Sequence, residues 1–154
     1  MVLDDPEALR CQDSYFAELQ ACLESRHDVG PGGAGGADGD ADMTPPDGAL
    51  LIARLIYRVV GCGGLVIRRP GDGSNFAEIK RMWVDDALRG LGMGHAILEA
   101  VEARARAHGE GLVRLDSNRC LNAAHTLYRR CGCEEIPHYN DNPYAHLWFQ
   151  RWLD

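Results

Sequence analysis

The chain has 154 residues, of which 45% are hydrophobic and 25% charged, and its formal charge at pH 7 is −7. This size and composition are typical of one soluble globular domain. The negative charge argues against nucleic-acid binding, which depends on a basic surface. The acidic first residues lack the apolar core of a signal peptide. Arg54 and Arg58 interrupt the longest apolar segment. We therefore expect a cytoplasmic protein that does not bind membranes.

The six cysteines predict neither a disulfide framework nor a metal site. A domain of this length needs no covalent crosslinks, and no secretory signal places it in an oxidising compartment. Cys131 and Cys133 are separated by one residue, so they do not form a C-x-x-C pair for zinc. We expect buried or partly buried free thiols, no metal, and no covalent role for Cys120 or Cys131.

The first predicted element is an amphipathic helix over residues 6–26, with Asp5 and Pro6 as N-cap and first helical residue. Its apolar residues recur at helical spacing: Leu9, Tyr15, Phe16, Leu19, Cys22 and Leu23. Residues 29–48 are rich in Gly, Ala, Asp and Pro, and they predict a mobile loop without a packed core. Two interpretations of this loop remain open, a variable insertion or a lid over a substrate entrance.

Three strands are predicted after residue 48. Residues 49–57 and 58–69 are β-branched and apolar, and the glycines at 61, 63 and 64 indicate a bulge or a close approach of another segment. Residues 75–84 alternate, which predicts one shared face for five side chains. They are Phe76, Glu78, Lys80, Met82 and Val84.

The second half of the chain predicts a helix over 92–108 that ends at Gly109 or Gly111, a strand over 111–118, and a short helix from residue 122. The short helix has an apolar face of Ala124, Leu127, Tyr128 and Cys131, with Gly132 as its C-cap. Residues 134–153 predict two strands around an Asn/Asp/Pro turn. The element order is that of one mixed α/β domain.

The segment RGLGMG at 89–94 lies between the third strand and the second helix. Glycines let a backbone approach a ligand closely, and a helix that starts there directs free N–H groups at an anion. The spacing Gly90-x-Gly92-x-Gly94 fails the dinucleotide fingerprint, and the absence of a following lysine excludes the P-loop. It fits the pattern [QR]-x-x-G-x-[GA].

That pattern resembles the acetyl-CoA loop of the GNAT superfamily of N-acetyltransferases. EIKRMWVDDALRGLGMGHAILEAVEARARAHG is similar to that family's fourth strand, loop and third helix, and RLDSNRCLNAAHTLYRRCGCEE to its fifth strand and fourth helix. The resemblance covers residues 49–154, and NDNPYAHLWF resembles a bacterial subgroup of stand-alone domains. It implies an α/β (α+β) fold with six to seven strands and four helices, splayed between the fourth and fifth strands. The chain is expected to be one domain, 1–154, with parts at 1–28, 29–48 and 49–154.

The resemblance implies acetyl-CoA as cofactor, with coenzyme A as product, and an amine of a small molecule or a peptide as acceptor. The backbone N–H groups of 90–95 would hold the pyrophosphate, Val84 would supply an oxyanion donor, and Arg89 would add charge or brace the loop. Asn122 would contact the pantetheine or cap its helix. The implied cofactor-binding residues are Met82, Trp83, Val84, Arg89, Gly90, Leu91, Gly92, Met93, Gly94, His95, Asn122 and Tyr128.

An amine must lose its proton before it attacks a thioester, so a general base is needed. The resemblance implies Glu78 as that base, unless Glu78 pairs with Lys80, Arg81 or another arginine. Asp116 is the second candidate. Tyr128 would protonate the departing thiolate, or serve only as a core aromatic. The acceptor-binding candidates are Asn118, Tyr139, Asn140, Asn142, Tyr144 and His146.

The resemblance therefore predicts an acetyl-CoA-dependent N-acetyltransferase that transfers acetyl directly to a primary amine. The alternative is a non-catalytic acyl-CoA-binding module that acts through a protein partner. Turnover with an amine separates the two. Dimers are common in the family, so a homodimer remains open, and the sequence does not identify the acceptor.

Overall fold

The computed structural model describes residues 6–25 and 43–154, and the side chains within 6–21 and 43–154. Helices α1, α2 and α3 span Pro6–Ser25, Met93–Ala107 and Asn122–Arg130. Strands β1 to β6 span Gly48–Leu55, Arg58–Arg68, Phe76–Val84, Leu112–Ser117, Glu134–Ile136 and Leu147–Trp152. The element order is the predicted one, with three α-helices in the described ranges where four were expected. None of these helices combines the length and apolarity needed to cross a bilayer.

The six strands form one mixed sheet in the order β1-β2-β3-β4-β6-β5. Only β3 and β4 run parallel, and their pairing is limited to Ala77 with Val113 and Glu78 with Arg114. Beyond these two pairs β3 and β4 separate. This confirms the splay, because β3 here is the family's fourth strand and β4 its fifth.

Apolar clusters cover the sheet. The larger one joins α2 and α3 to the strands through residues such as Ile79, Ile97, Val101, Tyr128 and Phe149. A second one joins α1 to β1 and β2, and it contains Ala8, Cys11, Met43, Leu50, Cys62 and Val66. The sheet is therefore covered by helices on both faces, as expected of an α/β domain.

The buried face of α1 differs from the predicted one. Ala8 and Cys11 are buried, whereas Leu9 is 47% exposed. Small side chains at these positions let the helix approach the sheet closely, so they are buried in place of the larger leucine. Cys22 and Leu23 lie outside the described side chains.

The end of the predicted loop at 29–48 is packed. Met43 is fully buried in the cluster with α1, and Gly48 already belongs to β1. The expectation that the side chains of this loop do not pack is therefore wrong for its last residues. One apolar side chain, that of Met43, is sufficient to anchor the segment. Residues 29–42, and with them the choice between insertion and lid, lie outside the described residues.

The predicted glycine feature of β2 is confirmed. A Cβ at Gly61 would lie 2.7 Å from Ile97, and a Cβ at Gly63 would lie 2.7 Å from the same side chain. The register passes from Cys62 opposite Trp83 to Gly64 opposite Lys80. One residue of β2 therefore faces two of β3, Arg81 and Met82, which is a β-bulge.

The bulge corrects the predicted face of β3. Arg81 has φ +56°, and beyond it Met82 and Val84 pack against the core formed with α2 and α3. Glu78 and Lys80 lie on the opposite side with Phe76. An extra residue shifts the alternation by one, so the predicted five-residue face ends at Lys80.

The predicted free thiols hold for Cys11, Cys62, Cys131 and Cys133, but Cys120 is disulfide-bonded. The expectation of free thiols alone is therefore wrong. Leu19 of α1 packs against Cys120. The spacing of cysteines along the sequence does not show which distant parts of the chain the fold brings into contact, so it did not predict the disulfide of Cys120.

Candidate active site

Two cavities adjoin where β3 and β4 separate. The loop cavity, about 490 Å³, is lined by the end of β3, the glycine segment and the start of α3. The polar cavity, about 690 Å³, is lined by α1, β3, the end of β4 and the segment 139–144. Tyr15, Met82, Leu121 and Ala124 line both cavities. Ligands in the two cavities can therefore meet at this shared wall.

The glycine segment forms an open cradle of main-chain donors. Gly90 and Gly92 both have φ +81°, and no atom lies within 4 Å of a Cβ built on either. Within the described part of the chain, the N–H groups of residues 90–95 donate to no acceptor. These donors lie at the N-terminus of a 15-residue helix, α2. Such an arrangement favours an anion, and it fits the diphosphate of coenzyme A.

Ten of the twelve predicted cofactor residues line the loop cavity. They are Met82, Trp83, Val84, Arg89, Gly90, Gly92, Met93, Gly94, His95 and Asn122. The side chain of Leu91 is 73% exposed and lies outside this lining, and Tyr128 lines the polar cavity instead.

Arg89 braces the loop. Its Nε donates to the carbonyl of Val84 at 3.3 Å, and its guanidinium pairs with Glu18 of α1 at 2.5 Å and with Asp86 at 2.8 Å. Because Arg89 makes these hydrogen bonds to the protein itself, the geometry favours a role in bracing the loop over a role in supplying positive charge to the cofactor. Glu18 also lines the loop cavity, and no pattern in the sequence indicated this position.

The edge of β3 along the loop cavity has no strand partner on the β4 side, since their pairing ends at Glu78. Backbone groups of Met82, Trp83 and Val84 border this cavity. An extended ligand with amide groups can pair with such an edge, as a peptide does in β-augmentation. The pantetheine arm of coenzyme A has this chemistry.

Asn122 is the first residue of α3 and makes no side-chain capping bond. The capping alternative is therefore wrong for it. Instead, Asn118 accepts from the backbone N–H of Cys120 at 3.0 Å and donates to the carbonyl of Tyr144 at 2.8 Å. Asn118 and Tyr144 both line the polar cavity. The side-chain amide of Asn118 therefore connects the segment that follows β4 to the segment that precedes β6.

Glu78 is held by an arginine and a tyrosine. Its Oε1 accepts from Nε and Nη2 of Arg68 at 3.2 and 3.0 Å, and its Oε2 accepts from the hydroxyl of Tyr139 at 2.9 Å. The side chain is buried. Of the two alternatives for Glu78, the structure therefore shows the one in which it pairs with an arginine, here Arg68.

Asp116 lies across the polar cavity at the end of β4. It accepts hydrogen bonds from Asn140 at 2.7 Å and Asn142 at 3.2 Å. Burial raises the pKa of Asp116 above its usual range, and the charge of Glu78 acts in the same direction, while the hydrogen bond from Asn140 opposes it. No arginine or lysine forms an ion pair with Asp116 in the described part of the chain.

Tyr128 belongs both to the core and to the polar cavity. Its ring centroid lies 5.8 Å from that of Phe149, and only 5% of the residue is exposed. Its hydroxyl makes no hydrogen bond to the described residues, and burial raises its pKa. The two predicted roles, core aromatic and proton donor, are therefore compatible.

Helix α1 supplies a wall of the site that the sequence did not indicate. Tyr15, Phe16 and Leu19 line the polar cavity. Burial raises the pKa of Tyr15 to about 12. The sequence signal for this wall is the apolar stripe of α1, to which all three residues belong.

One predicted acceptor residue lies elsewhere. His146 is exposed, accepts from the backbone N–H of Arg119 at 3.1 Å, and lines neither cavity. The other predicted acceptor residues, Tyr139, Asn140, Asn142 and Tyr144, line the polar cavity with Asn118. A hydrogen-bonded turn brings them together, and His146 follows that turn at the start of β6.

Comparison with known proteins identifies the family. The model of the acetyltransferase (GNAT) family matches residues 13–133. IAA acetyltransferase of Azospirillum brasilense is 36% identical over 90 residues, which cover 58% of this chain and 57% of that protein. N-acetylaspartate synthetase of Rattus norvegicus is 34% identical over 90 residues, covering 58% and 29%. The chain thus spans about half or less of these relatives.

Solved structures share the fold. A protein from Klebsiella pneumoniae, provisionally named an acyl-CoA N-acyltransferase, has a TM-score of 0.75 and 26% identity, with coverage of 100% of this chain and 94% of that one. A Bacillus anthracis protein provisionally named streptothricin acetyltransferase, solved with acetyl coenzyme A, has a TM-score of 0.59 and 18% identity, with coverage of 74% and 67%. The chain belongs to the GNAT acetyltransferase family, whose cofactor is acetyl-CoA.

Proposed function

We propose that the chain is an acetyl-CoA-dependent N-acetyltransferase that transfers acetyl directly to a primary amine. The observation that carries the proposal is the shared wall of the two cavities, formed by Tyr15, Met82, Leu121 and Ala124. A cofactor in the loop cavity and an amine in the polar cavity can react directly at such a wall. No nucleophilic side chain is then required.

The loop cavity supplies the cofactor contacts. The N–H groups of residues 90–95 and the dipole of α2 bind the diphosphate, and the edge of β3 at Met82–Val84 pairs with the pantetheine. Bound acetyl-CoA supplies the acetyl thioester. Because Arg89 braces the loop, these donors are already in place before the cofactor binds. This lowers the free-energy cost of ordering the loop on binding.

Asp116 is the group that we propose to remove the proton from the amine, directly or through water. A base works best when its pKa lies near the working pH, and burial moves the pKa of Asp116 in that direction. Glu78 is less suited, because it is ion-paired with the guanidinium of Arg68, whereas the hydrogen-bond donors to Asp116 are the neutral amides of Asn140 and Asn142. We assign Glu78 the task of positioning its own two hydrogen-bond donors.

Tyr128 is the group that we propose to protonate the departing thiolate. It lies one helical turn after Ala124, a residue of the shared wall, so it is on the same side of α3. Its raised pKa keeps the hydroxyl protonated, and that hydroxyl donates to no described residue. The proton is therefore available to a leaving group.

An amine panel tests the proposal. Free thiol release from acetyl-CoA is measured with small amines and peptide amines, and acetyl-CoA binding is measured by calorimetry. We expect binding, and thiol release with at least one amine. Tight binding without turnover, together with a copurifying protein partner, would instead establish the acyl-CoA-binding module. Absence of acetyl-CoA binding would overturn both.

A further inference from the structure

The shared wall of the two cavities carries one side chain that can donate a hydrogen bond. Of the four residues that line both cavities, Met82, Leu121 and Ala124 have no donor in their side chains. The fourth is Tyr15 of α1, whose phenol hydroxyl is a donor. A ligand atom that accepts a hydrogen bond from a side chain of this wall must therefore accept it from Tyr15.

The hydroxyl of Tyr15 is available to a ligand. It makes no hydrogen bond to any residue that the structure describes. Burial raises the pKa of Tyr15 to about 12, although the charge of Arg81 opposes the shift, so the hydroxyl keeps its proton at neutral pH. A hydroxyl removed from water without a partner costs free energy, and a hydrogen bond to a ligand recovers it.

The ring of Tyr15 is fixed by its neighbours. Its centroid lies 5.3 Å from that of Phe16, with an angle of 75° between the ring planes, and 5.7 Å from the guanidinium carbon of Arg81. The ring also packs against Leu19 and Cys120. A donor that is held in place before the ligand binds stabilises developing charge without a cost of reorganisation.

Tyr15 and Tyr128 approach the gap between β3 and β4 from opposite faces of the sheet. Helix α1 packs on one face through the cluster with β1 and β2, and α2 and α3 pack on the other. Burial raises the pKa of Tyr128, and the nearby Tyr15 acts in the same direction, which indicates that the two phenols are neighbours. A thioester carbon carries two polar atoms, sulfur and oxygen. With Tyr128 assigned to the sulfur, Tyr15 is the phenol left for the oxygen.

We propose that the hydroxyl of Tyr15 donates a hydrogen bond to the carbonyl oxygen of the acetyl group and stabilises the negative charge that develops there. This inference rests on the proposed N-acetyltransferase function. Electrons of the C=O bond move onto this oxygen as the amine nitrogen bonds to carbon, and they return as the C–S bond breaks. The amine proton goes to Asp116, and the sulfur takes a proton from Tyr128. Tyr15 keeps its own proton throughout.

The carbonyl stretch of bound acetyl-CoA tests this contact without turnover. Infrared difference spectra between acetyl-CoA with and without an isotopic label at the acetyl carbonyl carbon isolate the band. A hydrogen bond to the oxygen weakens the C=O bond, so we expect the band at a higher frequency in Tyr15→Phe than in the wild type. Tyr128→Phe should leave the band in place. An equal band in Tyr15→Phe and the wild type, or a displacement in Tyr128→Phe alone, overturns the proposal.

Kinetics test whether the contact stabilises the transition state. Tyr15→Phe is expected to lower kcat about 100- to 1,000-fold, the usual loss when one such donor is removed. The affinity for coenzyme A, which lacks the acetyl carbonyl, should stay the same by calorimetry. The pH profile of kcat should keep its shape, because Tyr15 does not titrate near neutral pH. Tyr57→Phe, at a position that is 95% exposed, is the control. An unchanged kcat in Tyr15→Phe overturns the proposal.

A second variant decides the matter if Tyr15→Phe fails to fold. Replacement of Tyr15 by a ring-fluorinated tyrosine keeps the ring and the hydroxyl but makes the phenol a stronger acid, so the carbonyl band should move to a lower frequency than in the wild type. If the band moves as expected and no amine releases thiol from the wild type, the contact stands and only the acetyl transfer is overturned. If thiol is released and the band does not move, the N-acetyltransferase function stands without this role for Tyr15.

Discussion

Tyr128 and Asp116 show how burial prepares side chains for proton transfer. Both line the polar cavity, and burial raises the pKa of each. For the tyrosine this preserves a proton donor, and for the aspartate it makes a stronger base. The same desolvation therefore serves two opposite roles, set by the chemistry of each group.

Tyr128→Phe is expected to lower kcat at neutral pH by about 100-fold or more, because it removes a general acid. The affinity for acetyl-CoA should stay the same, and packing against Phe149 is retained. Steady-state kinetics and calorimetry measure the two effects. Tyr57→Phe, at a position that is 95% exposed, is the control. An unchanged kcat in Tyr128→Phe would exclude the tyrosine from the mechanism.

Asp116→Asn and Glu78→Gln test which carboxylate accepts the proton. Asp116→Asn is expected to lower kcat by about 100- to 10,000-fold, the usual contribution of a general base. Glu78→Gln should cost much less, since that carboxylate positions Arg68 and Tyr139. The assignment reverses if Glu78→Gln is the more damaging change while both variants bind acetyl-CoA normally.

The raised pKa of Asp116 also predicts a pH dependence of stability. A carboxyl group whose pKa is raised in the folded state stabilises that state when the group is protonated. This contribution is lost as the pH rises from the ordinary carboxyl pKa of 3.8 through the higher pKa of the folded state. The free energy of unfolding of Asp116→Asn should therefore improve relative to that of the wild type as the pH rises above about 4. Denaturant titrations at several pH values measure it, and a constant difference would contradict the shift.

At the scale of elements, the glycine segment has two separable tasks. Gly90 and Gly92 provide the positive φ values and open space that expose the donors, whereas Gly94 lets α2 approach α3. A Cβ on Gly94 would lie 3.1 Å from Leu127. Binding and packing thus depend on different glycines of one short segment.

Gly92→Ala and Gly109→Ala form a matched pair at the two ends of α2. Both glycines have φ +81° and open space around them, so each alanine should destabilise the fold by a similar amount, roughly 1–2 kcal/mol. Of these two glycines, only Gly92 lines the loop cavity. We expect the affinity for acetyl-CoA to fall at least 10-fold in Gly92→Ala alone, measured by calorimetry. Equal loss in both variants would exclude a role for the cradle.

At the scale of the whole molecule, α1 joins the two cavities. Tyr15 lines both of them, and Glu18 connects α1 to the loop through Arg89. Glu7 pairs with Arg54 of β1 near the other end of the helix. The helix is therefore held both to the sheet and to the cofactor loop.

Acetyl-CoA binding is expected to slow hydrogen exchange in α1 as well as in residues 88–95, because the loop and α1 share the contact between Arg89 and Glu18. Mass spectrometry of peptides from residues 6–21 measures the effect. Arg89→Gln should remove the protection of α1 in the bound state. Protection confined to the loop and α3 in the wild type would show that α1 does not respond to the cofactor.

The acceptor side of the site was only partly predictable. Asp116, Tyr139 and Asn140 were identified as candidates, and the fold places them around one cavity. An arginine partner for Glu78 was one of the predicted alternatives, but the sequence did not identify which residues would bind it: Arg68 and Tyr139 are 10 and 61 residues away along the chain. Sequence spacing does not encode such pairs, because β-sheet register and loop folding bring them together.

Local sequence patterns were sufficient to predict the order of the elements and the position of the cofactor loop. Both depend on local chemistry, namely the periodicity of apolar residues and the glycines that open a helix N-terminus. Three features became visible only in the folded chain: the point at which β3 and β4 separate, the bulge that turns Arg81 toward the polar cavity, and the position of α1 as a wall of that cavity. These features arise from contacts between distant residues, and a one-residue shift in register is enough to move a side chain from one face of the sheet to the other.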